Sequence, residues 1–431
     1  DMKKYTIIFF SLLVSSLFSQ KPNYTVSKER LLKNLKKLSV FGINKNNGND
    51  RVAYSDYDVQ AREYLKEYMK NLGLKVHVDY AANIIARKEG SNKKLRPIIF
   101  GSHIDAVPNG GHYDGPLGVI SGIEALETIL DNEIITSHPL ELIVFTNEEG
   151  GVFGSRALAG KLNNDALEIK TASGFTNGEG VDRLGGNQKR IFEVTKSSND
   201  YHAFVELHIE QGNILNKNNI DIGVVTGIVG LKWWDVTITG FANHAGTTPM
   251  DERKDPMIAA ADFILLVKNI INEIPGNQVG TVGKIEAYPG APNVIPGEVK
   301  LSLEIRDLDE SKIDFLFREI EKKAKIIASN NKTTISFSSI DINASPALMN
   351  KQIQSLIIDA ANELNYSFKK MPSGAGHDAQ DMAIIVPSGM IFIPSVDGIS
   401  HSPKEFSSDE DVYKGANILL NTILKLDKKK F

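Results

Sequence analysis

Four short apolar runs, each ending in polar or titratable residues, constrain this chain more than anything else in it. They are RPIIFGSH (96–103), LELIVFTN (140–147), HAFVELHIEQG (202–212) and GMIFIPS (389–395). Between the first two lies LGVISGIEALETIL (117–130), which has helix character, and VQAREYLKEYMKNL (59–72) has helical spacing with Gly73 as a stop signal. Strands alternating with helices predict an α/β fold, a mostly parallel sheet covered by helices on both faces. In such a fold the chemistry is expected at the carboxyl ends of the strands.

The stretch from about Gly230 to Asn343 reads differently. LKWWDVTITG (231–240) alternates like a strand, 255–273 is helical, 279–290 and 298–307 resemble strands, 310–329 is helical, and TTISFSSID (333–341) is again strand-like. The order β-α-β-β-α-β predicts an inserted ferredoxin-like α+β unit of about 115 residues. Strand-forming residues bracket it at VELHIE and MIFIPS. The expected division is therefore a discontinuous domain over 20–229 and 344–431, interrupted by a second domain over 230–343.

Composition removes several function classes. Lys+Arg 49 against Asp+Glu 53 gives a net charge of −4, with no basic block beyond lysine pairs and the terminal KKK, so nucleic acid is not an expected partner. Cysteine is absent, which excludes disulfides, a thiolate zinc site and a cysteine nucleophile. At the start, Lys3 and Lys4 precede the apolar run Tyr5–Phe18, then Ser19. That pattern predicts a signal peptide over 1–19 and export to the periplasm, although Leu17 stands where a small residue is expected before the cut. The alternative is an ordinary N-terminal helix in a cytoplasmic protein. The run is 14 residues long. A bilayer core needs about 20, so no stable membrane span is expected.

Nine histidines are present, and most histidines are surface or satisfied core residues. Those with acidic neighbours at strand ends matter here. In GSHIDAVPNGGHYDG (101–115), His103 and Asp105 are two apart and point the same way on an extended strand end, so Asp105 could accept the second ring N–H of a metal-bound His103. Asp114 follows on a glycine-rich turn that could swing its carboxylate back to His103; the bland reading is a simple Asp-Gly turn. In FTNEEGG (145–151), Glu148 and Glu149 follow an apolar strand. Either they are a solvated turn, or one ligates a metal while the other takes a proton from water. ELHIEQG adds His208, with Glu206 and Glu210 on its face and Gln211 beyond, and GISHSPKE adds His401. One carboxylate bridging two ions, with two further ligands on each, would use His103, Asp114, Glu149, His208 and His401. Nitrogen and oxygen ligands without sulfur suit Zn, Mn, Co or Ni.

Taken together, GSHIDAVPNGGHYDGPLGV, TNEEG, ELHIEQG, HAGTTPM, PNVIPG with EIR, SGAGHDA and GISHSPKE resemble, in order, the motifs of the amidase/hydantoinase-carbamoylase branch of the dinuclear zinc aminopeptidase-like superfamily. That branch includes N-carbamoyl-L-amino acid hydrolases, allantoate amidohydrolases, beta-ureidopropionases and ureidoglycolate hydrolases. The resemblance covers most of residues 55–425. It implies that His103, Asp114, Glu149, His208 and His401 hold two divalent ions with Asp114 bridging, that Asp105 orients His103, and that Glu148 is the general base and acid. It further implies that Arg306 holds a substrate carboxylate and that Gln211, Asn293 and His377 contact substrate. His244 would polarise the scissile carbonyl from a lid, often that of the partner subunit. Residues 230–343 would then be a lid and dimerisation domain of a homodimer. The implied reaction is hydrolysis of a linear ureido or amide C–N bond in a small carboxylate-bearing substrate, by attack of metal-bound hydroxide.

Each substrate contact has a plainer alternative: Arg306 could pair with Asp307 or Asp309, and Asn293 could cap a turn. The chain departs from the family after EEG, where Gly151 and Val152 replace an arginine or other long residue and GSRALAG follows almost at once. The competing functions are an N-acyl amino acid hydrolase or peptidase of the same superfamily, and a non-catalytic binding protein that keeps the fold.

Overall fold

In the computed structural model, which describes residues 24–431, the four apolar runs become neighbouring strands of one nine-stranded sheet. Its first strands in chain order are β1 (Lys75–Val78), β2 (Ile84–Lys88), β3 (Ile98–His103), β4 (Leu140–Phe145), β5 (Ala203–Ile209) and β6 (Ile222–Ile228). The chain then forms β7 (Gly230–Thr239), β8 (Asn243–His244), β9 (Val279–Thr281), β10 (Ile285–Tyr288), β11 (Val294–Ile295), β12 (Glu298–Asp307) and β13 (Thr334–Ala344). It returns to the first sheet through β14 (Ala347–Leu348), β15 (Phe368–Ser373) and β16 (Ser388–Ile393).

The large sheet runs β1-β2-β4-β3-β5-β16-β6-β14, with β15 beside β6. Its centre is parallel, β4–β3–β5–β16, and its β1–β2–β4 margin is antiparallel. Register places His103 opposite Phe145 and His208 opposite Phe392, so these strands release the chain at the same edge. β3, β5 and β16 are buried along their whole length, as an unbroken apolar run requires when helices cover both faces. The helices Pro116–Asp131 and Asp409–Leu426 pack on one face, and Phe153–Leu158 with Asp378–Ile385 on the other. Phe100, Phe145, Phe204 and Phe392 are fully buried in these two layers. Each such side chain contributes roughly 1.5–3 kcal/mol.

The expected helix over 59–72 forms as Asp56–Asn71, because Ser55 caps it by accepting from the Asp58 backbone N–H, and Gly73 at φ +81° ends it. The second sheet is antiparallel in the order β10-β12-β7-β13, with β9 also on β12. Helices Pro256–Glu273 and Glu310–Asn330 cover it in a ferredoxin-like arrangement, where Trp234 stacks on Phe317 at 4.2 Å. One expectation is corrected here. Residues 279–290 do not form one strand but two short ones, β9 and β10, broken around Gly283, where no side chain is available to pack. β8 and β11 form a separate two-stranded ribbon.

The predicted signal segment, 1–19, lies outside the described residues. Among the described residues no helix is long and apolar enough to cross a membrane.

Candidate metal centre and active-site cavity

Because β3, β4, β5 and β16 end together, the residues that follow them converge on one point. His103 is the last residue of β3 and His208 lies near the end of β5; both rings are buried. Asp114 reaches them from the turn before helix Pro116–Asp131. Gly115 makes that turn possible twice over: its φ is +81°, and a Cβ there would sit 2.5 Å from the His103 ring. Asp114 Oδ1 lies 3.1 Å from His208 Nε2 and 3.8 Å from His103 Nε2. Asp114 Oδ2 lies 3.2 Å from His401 Nε2, and Glu149 is 3.5 Å from the same nitrogen. Three ligand groups result among the described residues: His103–Asp114–His208 and Asp114–Glu149–His401, which share Asp114, and Glu206–His208–His377 behind them.

These residues fit a metal better than they fit each other. The Nε2 atoms of His103 and His208 are buried without a hydrogen-bond partner, although Asp114 is close to both. Imidazole nitrogens and carboxylate oxygens that face a common point without aligning as hydrogen bonds are what a cation would satisfy. Burial alone would push Asp114 up, but His208 and His401 outweigh it and hold it well below the usual carboxylate range. His208, although burial opposes it, is raised to about 9 by Asp114, and contact with Asp114 raises His401 to about 9. An ion arriving between them would displace those protons.

Glu148 is buried with its Oε2 3.6 Å from His103 Nε2, and it belongs to none of these ligand groups. Burial first, then the neighbouring Glu149, Asp378 and Asp114, push its carboxyl well above the usual range. Burial and Asp114 raise Glu149 to about 8. So many packed carboxyl groups need positive charge nearby to ionise together.

The expected carboxylate–histidine contact takes another form. His103 Nδ1 lies 3.0 Å from the Asp105 backbone carbonyl, whereas the carboxylate is 3.7 Å away. That carboxylate instead accepts the backbone N–H groups of Glu148 (3.2 Å) and Glu149 (3.1 Å), so it fixes the turn that presents both glutamates. Asn147, Val152, Gln211 and His401 all take left-handed backbone angles around this site. For Val152, a β-branched residue, that is a costly conformation.

A cavity of about 620 Å³ opens beside these groups, lined by Asp114, Glu148, Glu149, His377 and His401, with Gln211 and Arg306. Gln211 donates to Asp114 Oδ2 at 2.8 Å and leaves its buried Oε1 without a partner. His377 packs edge-on against His208 and reaches Ser373 Oγ at 2.9 Å. Arg306 pairs with neither Asp307 nor Asp309. Glu304, two residues earlier on the same face of β12, takes its Nε at 2.7 Å and an Nη at 3.1 Å, and the Gly374 carbonyl takes another Nη.

His244 and Asn293 do not line this cavity. They lie together at the β8–β11 ribbon, where Val294 pairs with His244 and Ala245 donates to the Asn293 carbonyl. His244, an exposed residue, accepts the Gly246 and Thr247 N–H groups at Nδ1, which leaves Nε2 to carry the proton of the neutral tautomer.

Sequence reasoning missed several supporting groups. Glu405 Oε1 accepts the backbone N–H of Tyr113 and Asp114 and its Oε2 takes Ser400, whose hydroxyl also lies 3.0 Å from Asp114. Glu206 is fully buried behind His208, accepting from Ser102 and from the Ala379 N–H. The only signal for either was a carboxylate inside a motif already singled out.

Residues 99–425 match peptidase family M20/M25/M40, and the chain belongs to that family. Within it, the chain is 39% identical to an N-carbamoyl-L-amino acid amidohydrolase of Geobacillus stearothermophilus, over 93% of this chain and 99% of the relative. It is 38% identical to a ureidoglycolate hydrolase of Arabidopsis thaliana, over 87% of this chain and 82% of that one. A crystal structure of a hydantoinase/carbamoylase family amidase from Burkholderia multivorans superposes with a TM-score of 0.89 at 32% identity, covering 95% of this chain and all of the other.

Proposed function

We propose that this chain is a metal-dependent amidohydrolase that cleaves a linear C–N bond in an N-carbamoyl-L-amino acid or a related ureide such as allantoate. The observation carrying this reading is the pair of ligand groups sharing Asp114, with Glu148 beside them yet outside both. Two divalent ions, held by His103 and His208 on one side, Glu149 and His401 on the other, and Asp114 between, would supply an activated water and polarise the scissile carbonyl. Glu148 accepts the proton of the attacking water and returns it to the leaving nitrogen. Asp105 holds the Glu148–Glu149 turn in place through two backbone N–H groups. Arg306, already oriented by Glu304, keeps free N–H donors for a substrate carboxylate. Gln211 and His377 contact the substrate from the cavity wall.

Turnover of N-carbamoyl-L-amino acids, allantoate or ureidoglycolate, with none of dipeptides or N-acetyl amino acids, is the expected result of a substrate panel run with Mn, Zn and Co. Turnover confined to dipeptides or acyl compounds would favour the peptidase reading. Complete inactivity with metal bound would favour a binding protein.

The second domain, 230–343, is on this reading a lid through which two copies pair. Met257, Ile258, Ile264 and Leu265 are exposed on helix Pro256–Glu273, an apolar surface that a partner would cover. His244 and Asn293 would then enter the partner's cavity, where the outward Nε2–H of His244 stabilises the developing oxyanion. Mixing inactive H244A and E148Q subunits should restore about a quarter of wild-type activity, since half the dimers are mixed and each has one intact site. Failure to complement after confirmed subunit exchange would place His244 in its own chain's site or outside catalysis. Export is a further expectation from residues 1–19, checked by the N-terminus of the mature protein.

A further inference from the structure

The cavity has a third wall that the reaction leaves unused. Only Gly150, Gly151 and Val152 separate Glu149 from helix Phe153–Leu158, so Arg156 on that helix lines the same space as the metal ligands, together with Lys161. The helix is fixed by Ser155, whose hydroxyl donates to Asp378 at 2.6 Å and ties it to helix Asp378–Ile385. Arg156 is half-buried, and its nearest partner is the Lys161 carbonyl at 3.4 Å. Among the described residues, neither the Arg156 guanidinium nor the Lys161 ammonium has a carboxylate within ion-pair distance. Arg306, by contrast, is already paired with Glu304.

Asp381 also lines the cavity and interacts electrostatically with both cations. Burial raises its carboxyl to about 6 while Arg156 and Lys161 pull it down, so it is ionised at neutral pH. Two cations against one carboxylate leave the wall positive. A half-buried guanidinium with no carboxylate within ion-pair distance keeps donors to offer, and a planar donor fork matches a carboxylate.

We infer that Arg156 and Lys161 form a second anion subsite, so that the preferred substrates carry a carboxylate at the end of the side chain as well as the one held by Arg306. The class is the N-carbamoyl derivative of an acidic amino acid. The inference rests on the amidohydrolase reading above, and it concerns which substrate that site selects.

The test compares kcat/KM for N-carbamoyl-L-glutamate and N-carbamoyl-L-aspartate with their neutral isosteres, N-carbamoyl-L-glutamine and N-carbamoyl-L-asparagine. The wild-type enzyme should prefer an acid over its amide by about tenfold, the worth of one charge-assisted hydrogen bond. R156Q and K161Q should each bring that ratio toward one, chiefly by raising KM for the acid. K189Q, an exposed position outside the cavity, should leave the ratio unchanged. K161Q changes an exposed residue, so the test survives if R156Q fails to fold. A wild-type ratio at or below one overturns the subsite, as does a preference retained in both variants. Hydrolysis of none of the four beside turnover of allantoate or ureidoglycolate overturns the subsite alone, and hydrolysis of none of these compounds by the metal-loaded protein overturns the amidohydrolase reading with it.

Discussion

Replacing Glu148 by glutamine should lower kcat by about 10²–10⁴-fold, the usual worth of a positioned acid–base group, while the metal content stays at the wild-type level. The two halves of that result have separate causes. Glu148 is outside every ligand group, so no ion loses a ligand. Glutamine keeps the shape of the side chain, and the turn beneath it is held by Asp105 through backbone N–H groups that the substitution does not touch. What is lost is an oxygen able to take a proton in the transition state, so kcat and kcat/KM should fall together with little change in KM. Steady-state kinetics beside elemental analysis of the same preparation check both halves. Near-wild-type turnover would remove Glu148 from the chemistry.

Asp114→Asn should have the broader effect, loss of both ions and of activity together. Among the described residues Asp114 is the one carboxylate that approaches His103, His208 and His401 alike, at 3.8, 3.1 and 3.2 Å. An amide offers one weak oxygen ligand where the carboxylate offered two charged ones. The metal-free protein should also be destabilised, with a pH signature. His208 and His401 are raised to about 9 by Asp114. A histidine raised in the folded state contributes stability that is complete below its unfolded value of about 6.5 and is lost as pH rises through about 9. Asp114 itself, held low, contributes above about 4 and loses its share as pH falls further. The Tm deficit of the metal-free variant should therefore be larger at pH 6 than at pH 9.5. An equal deficit at both would mean that the carboxylate stabilises only by packing and hydrogen bonding.

Those two residues also mark what could be read from the sequence. Glu148, Glu149, His103 and His208 were legible because each follows an apolar run, and a parallel sheet brings the ends of such runs to one edge. The role of the Asp105 carboxylate was not. Its spacing from His103 suggested a side-chain contact, but its carboxylate turns to the Glu148 and Glu149 N–H groups, 43 and 44 residues away. Glu405, which accepts from the Asp114 backbone across 291 residues, stood inside the GISHSPKE motif, but nothing local pointed from it to Asp114. The pairing of Arg306 with Glu304 was available from strand periodicity, since residues two apart share a face, whereas Asp307 points to the other one. His244 and Asn293 carry motif signatures yet lie at the β8–β11 ribbon and do not line the cavity, a separation that their motifs do not record.

If two ions bind as proposed, Asp114 would bridge them at the carboxyl edge of the parallel strands. Anomalous diffraction from crystals of the Mn- or Zn-loaded protein tests it most directly. The account predicts two peaks flanking the Asp114 carboxylate, one against His103 and His208 and the other against Glu149 and His401. A single peak, or a pair that leaves Asp114 uncoordinated, would contradict it.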